Sequence, residues 1–244
     1  MAEKHRKRAF LEHLEAYLAR RDGVDKALKI LRYSSKLWLS SPLISYADPL
    51  VVKRVKDFES SVGTSRKAFR LGKFVQDVNA LGKIPSYASR DGLLEFIACT
   101  GEGIYYFVEQ FIWLVKAGAI DKRHSKELQK WSAWSEFIGY LGSVTLKFFQ
   151  VWAMRSKEAA LLKGLNALNK GEGLDEKVRI SKELRMVRAK RSMKTLSLVQ
   201  DLSDSLLALN DIKDNKGPLA KPFLLAFSGL LSALISTHKN WNSC

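Results

Sequence analysis

The sequence predicts an all-α protein, a membrane-associated helical bundle with amphipathic and hydrophobic helices. Three observations lead to this fold class: apolar residues recur at helical spacing along the 244-residue chain, alternating strand patterns are missing from it, and long apolar segments lie between basic ones. The net charge of +16 also indicates an acidic partner, either nucleic acid or an anionic membrane.

The first region, residues 1–88, is basic, and we expect it to be cytosolic or to lie at the membrane interface. Apolar spacing predicts helices over residues 10–19 and 24–39. Pro42 and Pro49 bracket a break, because each proline removes a backbone donor and restricts the residue before it. No apolar run of secretory length follows the basic N-terminus, so the sequence does not predict a secretory signal.

The segment 65–81 has the clearest functional pattern. At about 100° per residue, its large apolar side chains fall in one arc of a single predicted helix, and three cations gather on the other side. Such a helix fits the protein's own core, or a lipid interface where each cation gains roughly 1 kcal/mol near anionic headgroups. For the lipid interface, the candidate membrane-binding residues are Leu71, Phe74, Val75, Val78 and Leu81 on the apolar side and Arg66, Arg70 and Lys73 on the basic side.

The second region, residues 89–153, contains two hydrophobic helices that we expect to be membrane-embedded or interfacial. The first is apolar nearly all round except for Glu95, Glu102 and Glu109, whose spacing by seven predicts one carboxylate stripe. Such a stripe packs against other helices, lies in the interface or lines a pore, because each carboxylate near a bilayer centre costs roughly 2.5–3.5 kcal/mol. The second helix, over 131–152, has tryptophans at both ends, which fit either an interfacial aromatic belt or the protein core.

Two further regions complete the predicted organisation. Residues 154–217 form a basic amphipathic helical region with a long helix over about 174–209, and residues 218–244 form a hydrophobic helix and tail. The uncharged run 222–237 favours a transmembrane helix over an ordinary buried helix. Because the run is short for a span, crossing would need tilt, a thinner bilayer or help from Leu219 and Ala220. Positive charge flanks the apolar middle and is sparse within it, which suits a membrane protein with its basic parts in the cytosol.

The sequence shows no pattern of a catalytic, metal or cofactor site. Its four histidines are scattered, and its two cysteines, Cys99 and Cys244, give no disulfide framework or metal spacing. The three glutamates of the stripe lack a nearby base or nucleophile. We therefore expect no enzyme, no cofactor and no metal. We also expect no nucleic-acid partner, because few aromatic residues are interleaved with the basic faces.

Two stretches carry a resemblance to a known family: FLEHLEAYLARRDGVDKALKILRYSSKLWL and, some 25 residues later, GTSRKAFRLGKFVQDVNAL. They resemble the N-terminal half of the peroxin-eleven family of peroxisomal membrane proteins, and most of all its plant branch. The later run GEGIYYFVEQFIWLVKAGAID and the C-terminal apolar run fit the same family. The resemblance thus covers nearly the whole chain.

The resemblance implies an integral or multi-pass protein of the peroxisomal membrane, with both termini in the cytosol, that promotes peroxisome elongation, proliferation and fission. By position, the family's membrane-remodelling helix corresponds to segment 65–81, with Arg66, Arg70 and Lys73 at its basic positions. The implied partners are an anionic phospholipid membrane, further copies of the chain and related family members, and the fission machinery with its adaptor and dynamin-related GTPase. The alternative is a metabolite channel lined by Glu95, Glu102 and Glu109.

Overall fold

The structure, a computed structural model, describes residues 10–168 and 174–244, and all the regular structure in these two ranges is helical. This confirms the predicted all-α class. Two short 3-10 helices, Pro42–Tyr46 and Lys122–His124, lie in the connections. The α-helices are α1 Phe10–Leu18, α2 Arg21–Leu39, α3 Pro49–Phe69, α4 Phe74–Leu81, α5 Arg90–Lys116, α6 Ser125–Leu168, α7 Leu174–Ile212 and α8 Pro222–Trp241.

Helix α3 begins well before the segment that the sequence analysis singled out. Asp48 caps its first turn, where its side chain accepts a hydrogen bond from the backbone N–H of Leu50 at 2.7 Å. Pro49 follows at the first helical position, where its missing N–H costs nothing. The proline therefore starts a helix as well as ending the preceding break.

Helix α6 joins parts of the chain that the sequence analysis treated separately. It runs for 44 residues, from the polar connector through the apolar segment 131–152 into the basic region, and is about 66 Å long. The boundary predicted near residue 153 is therefore a change of surface chemistry within one helix.

Glycines let α5 and α6 pack at close range. A Cβ placed on Gly101 would lie 2.4 Å from the backbone nitrogen of Gly139, and one on Gly142 would lie 2.7 Å from the carbonyl oxygen of Leu94. No side chain fits at such distances, so small residues are required where these two helices cross. Helix α6 also packs along α7, whereas α2 packs against α3 and α8.

Charged side chains lie inside this bundle, and many large apolar ones lie on its surface. The buried charged residues include Asp25, Lys29, Arg66, Glu109, Asp201 and Asp204. The exposed aromatic residues include Phe107, Trp131, Phe148, Trp152, Phe223 and Phe227. Buried charge and extensive exposed apolar surface are the informative departures from an ordinary soluble protein, and such surfaces mark contacts with lipid or protein.

Within the described residues, none of the helices is both long and apolar enough to cross a membrane. The transmembrane helix expected in residues 218–244 and the multi-pass topology stay predictions, as does the division into four regions. The basic residues at the very N-terminus, from which the expectation of no secretory signal starts, lie outside the described residues.

Candidate functional site

Segment 65–81 is divided between two helices. Helix α3 ends at Phe69, the backbone turns at Gly72 with a left-handed φ of 72°, and α4 begins at Phe74. The predicted single helix is therefore wrong. Glycine adopts this backbone conformation without strain, whereas inside a helix it costs about 1 kcal/mol relative to alanine. Of the candidate residues, Arg66 lies on α3, Arg70, Leu71 and Lys73 in the turn, and Phe74, Val75, Val78 and Leu81 on α4.

The basic side of the segment is organised around Asp25 of α2, which is 1% exposed. Its carboxylate accepts hydrogen bonds from Nε of Arg66 at 3.0 Å and from Nε of Arg70 at 3.3 Å. Nζ of Lys26 donates a third bond at 2.9 Å. Burial alone would raise the pKa of Asp25, but Arg70, Arg66 and Lys26 outweigh it and hold this pKa well below its usual value.

A second buried carboxylate, Glu109 of α5, shares Arg70 with Asp25. It forms ion pairs with Lys67 and with the guanidinium of Arg70, the latter at 3.3 Å. Arg70 also donates to the hydroxyl of Tyr105 at 2.8 Å. We call Asp25, Arg66, Lys67, Arg70 and Glu109 the inner charge cluster. It links α2, α5 and the end of α3.

Lys73 lies at the edge of this cluster. Its Nζ donates to the hydroxyl of Tyr106 at 3.0 Å and pairs with Asp22 at 3.5 Å. The three cations that the sequence analysis assigned to lipid headgroups therefore contact carboxylates and tyrosines of this same chain. Their contact with lipid stays a prediction, and Arg66 and Arg70 would have to leave their ion pairs to make it.

A further buried ion pair connects α2 to the C-terminal helices. Nζ of Lys29 bonds to both carboxylate oxygens of Asp204 on α7, at 2.9 and 3.1 Å. The hydroxyl of Ser232 on α8 donates to the same carboxylate at 2.6 Å. Burial alone would raise the pKa of Asp204. Lys29 and the hydrogen bond from Ser232 outweigh this effect, so the pKa lies below its usual value and the carboxylate stays charged. Thus α2 forms ion pairs with α3, with the turn that follows α3, and with α7.

The apolar side of the segment is partly accessible. Val75 and Val78 of α4 are 48% and 56% exposed. Phe74 packs edge-on against Phe107 of α5, with 5.4 Å between the ring centroids. Phe74, Val78 and Leu81 line an open groove of about 210 Å³ against α5. The apolar arc is therefore shared between this groove and the outer surface.

Asp77 lies in the same groove, in apolar surroundings. Its Oδ2 is buried without a hydrogen-bond partner in the described structure, and a Cβ on Gly103 would lie 3.2 Å from its Cβ. Burial, together with the charge of Glu102, raises the pKa of Asp77 to about 7 despite the opposing effect of Lys73. Asp77 is not among the site residues predicted from the sequence, although a carboxyl group beside an apolar helical arc is a detectable signal.

The predicted carboxylate stripe does not share one environment. Glu109 is buried in the inner charge cluster, whereas Glu95 and Glu102 are exposed. No observation therefore favours a pore lined by all three. In the part of the chain that the structure describes, no three histidine, cysteine, aspartate or glutamate side chains are grouped so that they could hold a metal ion.

Among the described residues, these features define an all-helical protein with buried ion pairs and many exposed apolar and aromatic side chains. The family model described as peroxisomal biogenesis factor 11 (PEX11) matches residues 11–241. Among curated proteins, the chain is 49% identical to peroxisomal membrane protein 11A of Arabidopsis thaliana over 99% of this chain and 96% of that protein. It is 50% identical to peroxisomal membrane protein 11-3 of Oryza sativa subsp. japonica, over 97% and 91% of the two chains. No solved structure shows a significant match.

The chain belongs to the PEX11 family. Members of this family are non-enzymatic peroxisomal membrane proteins involved in peroxisome biogenesis and proliferation. The resemblance to the peroxin-eleven family and its plant branch is thereby confirmed, because the two relatives named above are plant proteins.

Proposed function

We propose that this protein, in the peroxisomal membrane, bends and elongates that membrane by inserting the apolar side of segment 65–81 into the cytosolic leaflet. The observation that carries the proposal is the outward position of Val75 and Val78 on α4, a short helix joined to α3 through Gly72. A helix that enters one leaflet by roughly 5–10 Å expands that leaflet and curves the membrane.

The magnitudes indicate how such an insertion would proceed. Full burial of a large apolar side chain is worth about 1.5–3 kcal/mol, so the exposed halves of Val75 and Val78 provide only about 2 kcal/mol. If α4 also left its groove, Leu71, Phe74 and Leu81 would enter the leaflet too. Burying all five side chains from water has an upper limit of about 10 kcal/mol, from which the contacts that these three lose in the protein are subtracted. Deep insertion therefore requires α4 to separate from α5, with Gly72 as the point of bending.

We expect the apolar side chains to contact the membrane first and the cations to contact it later. Leaving one partner of a buried ion pair uncompensated costs about 3–5 kcal/mol, whereas a cation near an anionic membrane gains roughly 1 kcal/mol. Arg66 and Arg70 therefore stay in the inner charge cluster at first contact. Lys73, at its edge, is the cation that reaches headgroups at the lowest cost.

The proposal includes the further properties that the family resemblance implies. The protein would be integral, with both termini in the cytosol. It would associate with other copies of itself and with related family members, and would recruit a fission adaptor and a dynamin-related GTPase. The exposed aromatic side chains of α5, α6 and α8 support such contacts, because apolar surface of this extent is covered by lipid or by protein.

The test compares two single substitutions on adjacent residues of α4. Val78→Glu places a charge on the outer apolar side, and Asn79→Glu adds the same charge at a neighbouring exposed polar position. The full chain is reconstituted with vesicles that contain anionic phospholipid, and tubules are counted by electron microscopy. We expect Val78→Glu to abolish tubulation and Asn79→Glu to retain it. Equal tubulation by Val78→Glu and the unsubstituted protein would count against insertion.

A further inference from the structure

Helices α6 and α7 continue as a hairpin beyond the helices that pack against them. Arg90, at the start of α5, lies 4.1 Å from the ring centroid of Phe149, and Lys239, near the end of α8, bonds to Gln200 at 3.0 Å. Beyond these positions α6 and α7 pack chiefly on each other, with Leu184 and Val187 buried between them. We call residues 154–168 and 174–194 the hairpin arm. Its part of α6 alone is about 22 Å long.

The hairpin arm carries much of the positive charge of the protein. Its residues include eleven lysines and arginines and four aspartates and glutamates, which gives a net charge of +7. Glu158 is buried between the two helices, where it binds Arg188 at 2.8 Å and Arg191 at 2.6 Å. Lys157 and Glu183 pair across the arm at 2.7 Å. Its anionic groups are therefore largely occupied by internal contacts.

The outer face of α7 is left with cations that no carboxylate compensates. Lys182, Arg185 and Lys190 are exposed and form no ion pair in the described structure, and they lie on the side of α7 opposite Leu184 and Val187. A group of like charges held on a rigid helix creates a local positive potential that attracts an anionic partner.

Two observations indicate that this partner is a lipid surface. Val178 and Met186 lie among these cations and are largely exposed, and a face that mixes cations with apolar side chains is typical of an interfacial helix. In addition, the arm continues directly from the part of α6 that exposes Phe148 and Trp152. Along α6, a segment with exposed aromatic side chains is therefore followed by the cationic arm, in the order in which acyl chains are followed by headgroups in a bilayer.

We propose that the outer face of α7 in the hairpin arm, formed by Lys182, Arg185, Met186 and Lys190, binds anionic phospholipid headgroups. This is a second membrane contact, separate from segment 65–81 and independent of α4 insertion. Each cation near an anionic surface is worth about a fivefold change in partitioning, so the three together contribute about a hundredfold.

The experiment reports on the arm itself, because the exposed apolar surfaces of the full chain are expected to bind vesicles whether or not the arm does. In full-length protein with Cys99→Ser and Cys244→Ser, the substitution Ala189→Cys places a fluorescent label on the exposed outer face of α7. The protein is reconstituted in phosphatidylcholine vesicles with or without phosphatidylserine, both with nitroxide-labelled headgroups as quenchers. We expect quenching of the label in the phosphatidylserine vesicles alone, and we expect it to weaken as salt screens the charges.

A matched pair of triple variants separates this site from a general effect of net charge. One variant combines Lys182→Gln, Arg185→Gln and Lys190→Gln in the arm. The control combines Lys122→Gln, Lys126→Gln and Lys130→Gln. These lysines are exposed and form no ion pair in the described structure, and they lie in the 3-10 helix before α6 and in the first turns of α6.

The arm variant should lose the quenching by phosphatidylserine vesicles, and the control should keep it. Quenching that is absent from the unsubstituted arm, or lost equally in both variants, would overturn the proposal and leave an acidic protein as the partner to seek. The salt dependence of the unsubstituted arm gives a second measurement that needs no variant. Val78→Glu should leave the quenching unchanged, so failure of the arm proposal and failure of α4 insertion are distinguishable.

Discussion

The substitution Asp25→Asn should destabilise the fold strongly, because it removes the charge at the centre of the inner charge cluster. Asparagine keeps the size of the side chain but leaves the buried guanidinium of Arg66 without its ion-pair partner. Arg70 still has its ion pair with Glu109 and its hydrogen bond to Tyr105. An uncompensated buried cation costs about 3–5 kcal/mol, and we expect the free energy of unfolding to fall by this amount.

The assay is chemical unfolding of the full chain in mild detergent, followed by circular dichroism. Asp22→Asn is the matched control, because Asp22 is 45% exposed in its side chain and pairs with Lys73 alone, at 3.5 Å. An exposed pair of this kind contributes about 1 kcal/mol at most. Equal destabilisation of the two variants would show that the buried ion pairs of Asp25 contribute no more to stability than the exposed pair of Asp22 and Lys73.

The pH dependence of the stability of the unsubstituted protein and of Asp25→Asn gives an independent measurement. The pKa of Asp25 in the folded state lies below its value in the unfolded chain, about 3.9. Its stabilising contribution is therefore complete above that value and is lost as the pH falls through the folded-state pKa. The unsubstituted protein should lose stability in acid, and Asp25→Asn should lose less of it over the same range.

Two other predictions concern helix contacts. Because the pKa of Asp77 is raised to about 7, the packing of α4 on α5 should be strongest at low pH and weaken as the pH rises from about 4 to about 7. Asp77→Asn should remove this dependence, as measured by hydrogen exchange of the α4 amides at about pH 5 and about pH 8. Gly101→Val should lower the free energy of unfolding by at least about 1–3 kcal/mol, because a Cβ there already lies 2.4 Å from Gly139. Gly82→Ala, with 3.7 Å to the nearest atom, is the control and should have little effect.

Most of the helices were predictable because each has its own apolar periodicity. The predictions over 10–19, 24–39 and 222–237 correspond to α1, α2 and α8, whose ends differ by only a few residues from the predicted ones. Periodicity is a local property, so it predicts the existence and type of a helix better than the residue at which the helix ends.

The break inside segment 65–81 was missed although its signal was present. Gly72 lies between Leu71 and Phe74 of the predicted arc, and the arc extends across it. The structure shows that glycine serves the turn at this position, with a left-handed φ of 72°. An apolar arc can therefore be continuous in sequence while the helix is not.

The inner charge cluster could not be predicted from local patterns, because it depends on contacts between distant parts of the chain. Asp25 and Arg66 are 41 residues apart, and Lys67 and Glu109 are 42 apart. A local indication in the sequence is the spacing of Asp25 and Lys29 by four residues on a helix with an apolar face. The structure shows that both residues are buried. For the same reason, cations that were predicted to face lipid are found within the bundle.

The position of Val78 relative to a bilayer tests the central claim most directly. A fluorescent label on Val78→Cys in the full-length protein with Cys99→Ser and Cys244→Ser, reconstituted with anionic vesicles, would be exposed to nitroxides at defined depths along the acyl chains. The account predicts quenching by shallow acyl-chain nitroxides at roughly 5–10 Å below the headgroups. A label that stays in water, quenched only by a soluble agent while the vesicles still form tubules, would contradict it.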